Sequence, residues 1–399
     1  MSPSIPDSRF LIPDFDLLLG GIPRFAAESA WARRLIRRFA GDPTPRARVE
    51  LWGRRPTVAD MAGDCSRILV VADPEAYLTP AAARSLLAVL EREGCGLAIP
   101  VTNEPWCEEA RFAPPFAYHT PGLLAEAAAW TADHAAPPRR ISRPRSPVFS
   151  ARREVLSVLP PHLPLEEVPE EAARRGIEAV LDPASYLHRY GDMDGQARID
   201  LVARIPEGSR CVLDVGCSRA ATARALRQAG VDRVVGIEPD PADAAEAARV
   251  CDQLLARPLE EVTEEFNGQF DAVLFGDVLE HLQDPAAALA RVRPWLSARG
   301  AVIASVPNLG HWSVVADLLE GRFDYIPYSI LSGTHIRFFT RQTLVDLFEA
   351  SGYSAPTIET VTFPTSPAGR ARLESLASFG GASEDLTAVE FIAVAPPEA

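Results

Sequence analysis

The sequence predicts an α/β protein in two parts, a doubly wound sheet over residues 166–399 and a smaller α/β domain over residues 1–165. Three observations lead there. At 399 residues the chain exceeds what one ordinary core organises. Its second half alternates short apolar runs with helix-like stretches. Those runs are almost continuously apolar, as expected of strands covered by helices on both faces.

The strands of the second half are "CVLDVG", "RVVGIEP", "FDAVLFG" and "GAVIASVP". Between and after them come "AATARALRQAG", "DAAEAARV", "AAALARVRPWL" and "RQTLVDLFEASG", which read as helices. A sheet of this kind binds its ligand outside the carboxyl ends of the strands. In the first half "RILVVADPEAYLTPAAARSLLAVLEREG" reads as strand, turn and helix, and "GLAIPV" as a second strand. The Pro- and Arg-rich segments 136–156 and 160–171 read as irregular chain, which places the domain boundary near residue 165.

Composition narrows the function. Hydrophobic residues make up 47% and charged residues 24%, as in a soluble globular protein, and no apolar run is long enough to span a bilayer. The N-terminus lacks a basic start and a long apolar segment, so a cytoplasmic location is expected. The six cysteines form no CxxC pair and are expected to be reduced. All 40 basic residues are arginine. Residues 1–165 hold 20 Arg against 18 acids and residues 166–399 hold 20 Arg against 36, a balance that disfavours a nucleic-acid partner.

The ends of the predicted strands carry the chemistry. The first strand ends in Asp214 and Gly216, and the second ends in Glu238, 24 positions after Asp214. An acid at that second tip can grip both hydroxyls of a ribose. The loop Gly216-Cys217-Ser218-Arg219-Ala220 keeps one glycine, so the GxGxxG cradle of a dinucleotide is absent and NAD or FAD is disfavoured.

After the third strand comes "FGDVLEHLQDP", with Asp277, Glu280 and His281. A helix starting at Asp277 would gather all three on one face. One reading is helix-start electrostatics with an ordinary hydrogen-bonded histidine. The other is a divalent-cation site, whose oxygen and imidazole donors suit Mg²⁺, Mn²⁺ or Fe²⁺. A later histidine, His335 in "THIRFFTR", could complete it. Without a cation, His281, His311 or His335 could serve as a general base. Upstream, Tyr186, Arg189 and Tyr190 in "YLHRYGDMDGQ" read either as a flap over the ligand or as packed aromatics.

These residues resemble the class I S-adenosylmethionine-dependent methyltransferases over roughly residues 186–399. "VLDVGCSRA" is similar to that family's first motif, "VVGIEPD" to its second and "FDAVLFGDVLEHLQDP" to its fourth. The segments "VPNLGHWSVVADLL", "GRFDY" and "THIRFFTRQTL" resemble a subgroup often attached to glycosyltransferases.

The resemblance implies S-adenosylmethionine as cofactor. Asp214, Gly216, Ser218, Asp277 and Tyr190 would line it, and Glu238 would hold its ribose. Ser218 and Ala220 stand where the family prefers glycine, and Pro258 where an acid usually meets the adenine. The set Asp277, Glu280, His281 and His335 is similar to the metal-binding set of small-RNA 2′-O-methyltransferases, with Asp277 in place of a glutamate.

In the first half "ILVVADPEAYLTPAA" and "SPVFSARREVL" resemble part of a family-2-like glycosyltransferase domain, which puts Asp73-Pro74-Glu75 where a metal-binding acid pair would stand. Residues 1–66 show no recognisable sugar-nucleotide loop. The expectation is an O-methyltransferase acting on a sugar hydroxyl of a glycan or glycosylated small molecule, with or without a divalent cation. The alternatives are N-, C- or carboxyl-methylation of a small metabolite, and a non-catalytic sugar-binding or scaffolding protein.

Overall fold

A computed structural model of the chain describes residues 15–19, 57–61, 66–73, 76–104, 106–118, 120–189, 195–326, 329–379 and 383–398. The contacts divide it into two compact units, Met1–Gly191 with Tyr325–Pro327, and Asp192–Asp324 with Tyr328–Ala399.

The N-terminal unit is built on a mixed sheet of seven strands. They are β1 (Phe15–Leu19), β2 (Arg67–Val71), β3 (Ala76–Leu78), β4 (Cys95–Thr102), β5 (Arg139–Arg140), β6 (Val148–Arg152) and β7 (Glu178–Arg189). The order is β1-β2-β6-β4-β7-β3, with β5 beside β7. Strand β6 runs antiparallel to β2 and β4, whereas β7 lies parallel to β4.

This moves the boundary expected near residue 165 to residues 191–192. The misplacement came from proline. Segment 136–156, expected to be irregular, contributes β5 and β6. Segment 160–171 begins the helix Val168–Arg174, with a proline in its first turn, where the missing N–H costs nothing.

The C-terminal unit is a second seven-stranded sheet: β8 (Cys211–Val215), β9 (Arg233–Ile237), β10 (Gln253–Leu255), β11 (Phe270–Gly276), β12 (Leu296–Pro307), β13 (Thr357–Thr362) and β14 (Ala388–Ala395). The order is β10-β9-β8-β11-β12-β14-β13. The pairs from β10 to β12 are parallel, and β14 runs antiparallel between β12 and β13.

The predicted doubly wound α/β class is therefore what the chain adopts. The order reverses between β8 and β11, which opens the crevice where such sheets take ligands. Apolar side chains cover both faces: Leu213, Val273, Phe275 and Val302 belong to one core, and Val212, Ala272, Leu274 and Ile303 to another. The alternation along β8, β11 and β12 explains why these strands read as unbroken apolar runs.

Phe275 is completely buried on β11, the strand that carries the acid and histidine cluster. Replacing it with Ala should destabilise the protein by about 3–5 kcal/mol, the usual cost of deleting a core aromatic side chain. Urea denaturation checks this.

Candidate functional site

Asp214 and Glu238 lie at the carboxyl ends of β8 and β9, as their strand-tip positions predicted, and both are buried. Glu238 is held from two sides: Oε2 accepts the N–H of Ser218 at 2.8 Å and Oε1 that of Asp240 at 2.8 Å. Burial raises its carboxyl above the ordinary range. Asp214, 5% exposed, has one carboxylate oxygen with no hydrogen-bond partner. Burial, then the neighbouring Glu238 charge, push its pKa up to about 7.

The loop between them is tightly wound. Gly216 has φ +71, and a β-carbon there would lie 2.6 Å from Val278 Cγ2. The non-glycine residues Ser218 and Ala220 also take left-handed backbone, with φ 45 and φ 60. These are the two positions where the sequence departs from glycine, so the loop keeps a glycine-type geometry without the residues that adopt it easily.

The cluster after β11 differs from the expected helix. Asp277 takes φ 53, and only a single 3₁₀ turn, Leu279–His281, follows. The α-helix starts at Pro285, capped by Asp284 Oδ1 on the Ala287 N–H at 2.9 Å, because Asp-Pro is the stronger start signal.

Glu280, His281 and His335 come together, with one ligand-competent atom from each within 4.8 Å of the others. The backbone joins the two segments, since Ile336 N–H and Arg337 N–H both donate to the Glu280 carbonyl, at 2.9 and 3.0 Å. Glu280 is 1% exposed and neither of its carboxylate oxygens has a hydrogen-bond partner. Burial, then the Asp277 charge, raise its carboxyl well above the ordinary range.

His335 Nδ1 donates to the Ile330 carbonyl at 3.0 Å and His281 Nδ1 donates to the Thr334 carbonyl at 3.2 Å. A carbonyl can only accept, so each ring keeps its lone pair on Nε2. His335 Nε2 lies 3.9 Å from Glu280 Oε1, and burial, then His281, lower the His335 pKa to about 4.

Asp277, expected as a fourth metal ligand, is not in this group. Its Oδ1 accepts the Ser305 hydroxyl at 2.9 Å, its N–H donates to Ser305 Oγ at 3.0 Å, and its other oxygen pairs with Arg198. The short aspartate on a left-handed backbone is committed to that network. Arg198 also pairs with Asp200 and Glu390 and donates to Ser305 Oγ at 2.8 Å.

Sequence reasoning missed Arg198, Ser305 and Glu390. A legible signal existed for one of them: Glu390 is a lone acid in the apolar strand "AVEFIAVA". Its pKa rises to about 8 through burial, then the Asp277 charge.

His311, expected as a base, is used otherwise. Its Nδ1 accepts from the Ser313 hydroxyl at 2.7 Å and from the Ser313 N–H at 3.4 Å, capping the helix Trp312–Leu319. The neutral ring then carries its proton on Nε2 and has no spare lone pair for a base. Trp312 beside it is buried core.

Of the two readings of the upstream aromatics, Tyr186 takes the packed one. Tyr186 is a buried residue of β7 whose hydroxyl bonds with that of Tyr118, and Arg189 pairs with Asp73 and Glu104. Tyr190 lies outside the described residues, as do Pro74 and Glu75 of the N-terminal acid pair.

Comparison with known proteins bears on the same stretch of chain. Residues 186–356 match the family model described as a methyltransferase domain. The match covers less than half of the chain, lies almost wholly in the C-terminal unit, and supports an S-adenosylmethionine-dependent methyltransferase there.

The ubiquinone biosynthesis O-methyltransferase of Acinetobacter baumannii is 28% identical over 131 residues, 31% of this chain and 54% of that protein. Its namesake in Cereibacter sphaeroides is 29% identical over 160 residues, 38% of this chain and 64% of that one. The chain thus spans about half the length of the curated relatives it matches first. Among solved structures, the 1,6-didemethyltoxoflavin-N1-methyltransferase of Burkholderia thailandensis is 17% identical, covering 52% of this chain and 80% of its own, with a TM-score of 0.35. No helix among the described residues is long and apolar enough to cross a membrane.

Asp214, expected to line a cofactor, has a raised pKa that makes a testable stability signature. Below about pH 4 the carboxyl is protonated both folded and unfolded, and the pH-dependent penalty of burying its charge appears as pH rises toward and through 7. Asp214→Asn should therefore stabilise the cofactor-free protein at pH 8 by an amount on the order of a few kcal/mol. The gain should shrink steadily toward pH 4. Urea midpoints across that range check it, and a gain independent of pH would contradict the assignment.

Proposed function

We propose that this chain transfers the methyl group of S-adenosylmethionine to a hydroxyl oxygen with the help of a divalent cation, and that the acceptor is a sugar hydroxyl of a glycan or glycosylated metabolite. The observation that carries the reading is Glu280, a buried carboxylate with both oxygens unpartnered, grouped with two imidazoles whose Nδ1 atoms are already fixed. A carboxylate left in that state calls for a cation or a proton.

The residues fit both groups. Glu280, His281 Nε2 and His335 Nε2 would hold the cation, and hard oxygen with two nitrogens suits Mg²⁺, Mn²⁺ or Fe²⁺. Bound there, such a cation supplies a Lewis acid that lowers the pKa of a coordinated hydroxyl. S-adenosylmethionine supplies an electrophilic methyl group on a sulfonium centre.

The chain's own residues do the rest. Glu238 is immobilised by two backbone N–H groups where a ribose would be gripped. Asp214 offers an unpartnered oxygen to a cationic ligand beside it. His335 stays neutral at pH 7, so its Nε2 lone pair can bind a cation or take the hydroxyl proton.

A second reading keeps the O-methylation and changes the acceptor to a free small-molecule hydroxyl. It is favoured by the curated relatives, which are named for ubiquinone biosynthesis. Methylation of a panel of sugars, glycosides and aromatic hydroxyl compounds separates the two.

Glu280→Gln and His335→Ala should each remove most of the turnover while S-adenosylmethionine affinity, read by calorimetry, stays within a few-fold. The double variant should be no worse than either single, because ligands of one ion act as a unit. Chelator should reproduce the loss in the unmodified protein, and Mn²⁺ or Mg²⁺ should reverse it. Activity that survives chelator but not the His335 variant would leave a histidine base and remove the cation. If the protein binds no S-adenosylmethionine at millimolar concentration, the catalytic reading gives way to a binding or scaffolding role.

The glycosyltransferase-like reading of the N-terminal unit makes a separate prediction. Asp73 is ion-paired with Arg189 at 2.7 Å inside that unit. Asp73→Ala should leave methyl-transfer turnover unchanged, and a loss of turnover in a folded variant would assign the N-terminal unit a part in the reaction.

A further inference from the structure

Gly236, on β9, has no side chain, and two sulfurs fill the space beside it. From the position of a β-carbon there, Cys217 Sγ lies at 2.7 Å and Cys251 Sγ at 3.0 Å. Both cysteines are free, and the Cys217 thiol donates to the Ser218 carbonyl at 3.9 Å. Cys217 stands inside the loop at the end of β8. Its neighbour Gly216 is the loop's glycine, and its other neighbour, Ser218, makes the 2.8 Å bond to Glu238.

The two thiols are not equivalent. Cys217 is 5% exposed, and the neighbouring Cys251 thiol, with burial, holds its own thiol up. Cys251 is only partly buried, and the neighbouring Cys217 thiol brings its own below the usual range. The more accessible sulfur therefore forms the thiolate, and the buried sulfur waits beside it as a thiol, the arrangement of an attacking and a resolving cysteine.

We propose that Cys217 and Cys251 are an oxidation site for hydrogen peroxide, closing to a disulfide that weakens S-adenosylmethionine binding. The consequence for the cofactor rests on the reading that Glu238 and its loop hold it. Cys251 thiolate attacks one oxygen of the peroxide and the O–O bond breaks. The departing hydroxide takes up a proton as water, and Cys251 is left as a sulfenic acid. Cys217 sulfur then attacks the Cys251 sulfur. The S–O bond breaks and a second water leaves, carrying the Cys217 proton. Two thiols are oxidised by two electrons and one peroxide is reduced to two waters.

An S–S bond is about 2.05 Å long, shorter than any contact between two separate thiols, so closure must draw the sulfurs together. The pull acts on Cys217 backbone, between Gly216 at φ +71 and Ser218 at φ 45. A loop already wound this tightly can follow only by changing its dihedrals, which moves the Ser218 N–H from Glu238.

The test uses the full chain, reduced first and then exposed to hydrogen peroxide. Peptide mapping by mass spectrometry locates the cross-link, and calorimetry gives S-adenosylmethionine affinity before oxidation, after it, and after dithiothreitol. The expected result is a Cys217–Cys251 cross-link, a dissociation constant raised at least about tenfold, and full recovery on reduction. Cys251→Ala should bind cofactor like the reduced protein and be unaffected by peroxide. Sulfinic acid on Cys251 without a cross-link would overturn the oxidation site. A cross-linked protein of unchanged affinity would overturn its effect on binding. Failure of the reduced protein to bind cofactor would instead sink the cofactor reading and that effect with it, while the cross-link map still decides whether the dithiol closes.

Discussion

The carboxyl end of the C-terminal sheet depends on one cation. Arg198 pairs with Asp200, Asp277 and Glu390 and also bonds the Ser305 hydroxyl, so a single guanidinium answers three carboxylates. Three further acids, Asp214, Glu238 and Glu280, stand at the same strand ends with their carboxyl groups raised by burial. Negative charge there is expensive, and among the described residues no arginine ion-pairs with these three acids. Binding a positively charged group is how such a site recovers the desolvation cost. A sulfonium and a divalent cation are both groups of that kind.

Two consequences follow from where Arg198 sends its bonds. It takes Asp277 away from the histidine cluster, so the group that could hold a cation is Glu280, His281 and His335. It also leaves Glu280 without compensation, since neither oxygen finds a donor. The cluster is then held together by backbone, through the two N–H groups of Ile336 and Arg337 on the Glu280 carbonyl, rather than by hydrogen bonds between its side chains. The Glu280 carboxylate is thus placed without spending its own oxygens.

Features that belong to strand ends were readable in the sequence, because a strand that stops at an acid puts that acid at the rim of the sheet. Asp214, Glu238, Glu280 and His281 were placed that way, whereas His335 came from the segment "THIRFFTR" and its resemblance to a metal-binding set. Features that depend on a turn's dihedrals were not. Asp277 was expected to open a helix, and only its left-handed φ 53 shows why it turns toward Ser305 and Arg198 instead. Proline misled at the boundary for a related reason: it marks helix starts as readily as linkers, and Pro169 does the former. His311 shows the same limit, since the sequence supplies a histidine but not the two Ser313 donors that occupy its Nδ1.

The loop between β8 and the helix Ala221–Gln228 shows how strain and site are connected. A left-handed residue other than glycine costs roughly 1–2 kcal/mol, and this loop contains two, Ser218 and Ala220. Something must hold them. Ala220 is completely buried and its N–H bonds the Cys217 carbonyl at 2.8 Å, while Ser218 N–H is fixed on Glu238 at 2.8 Å. At Gly216, Val278 fills the space beside the α-carbon, so no side chain fits there. The loop is therefore clamped by β9 on one side and by the segment after β11 on the other. Substituting glycine at 218 or 220 would release the strain but also lower the cost of other loop shapes, so the departure from glycine reads as preorganisation rather than decay.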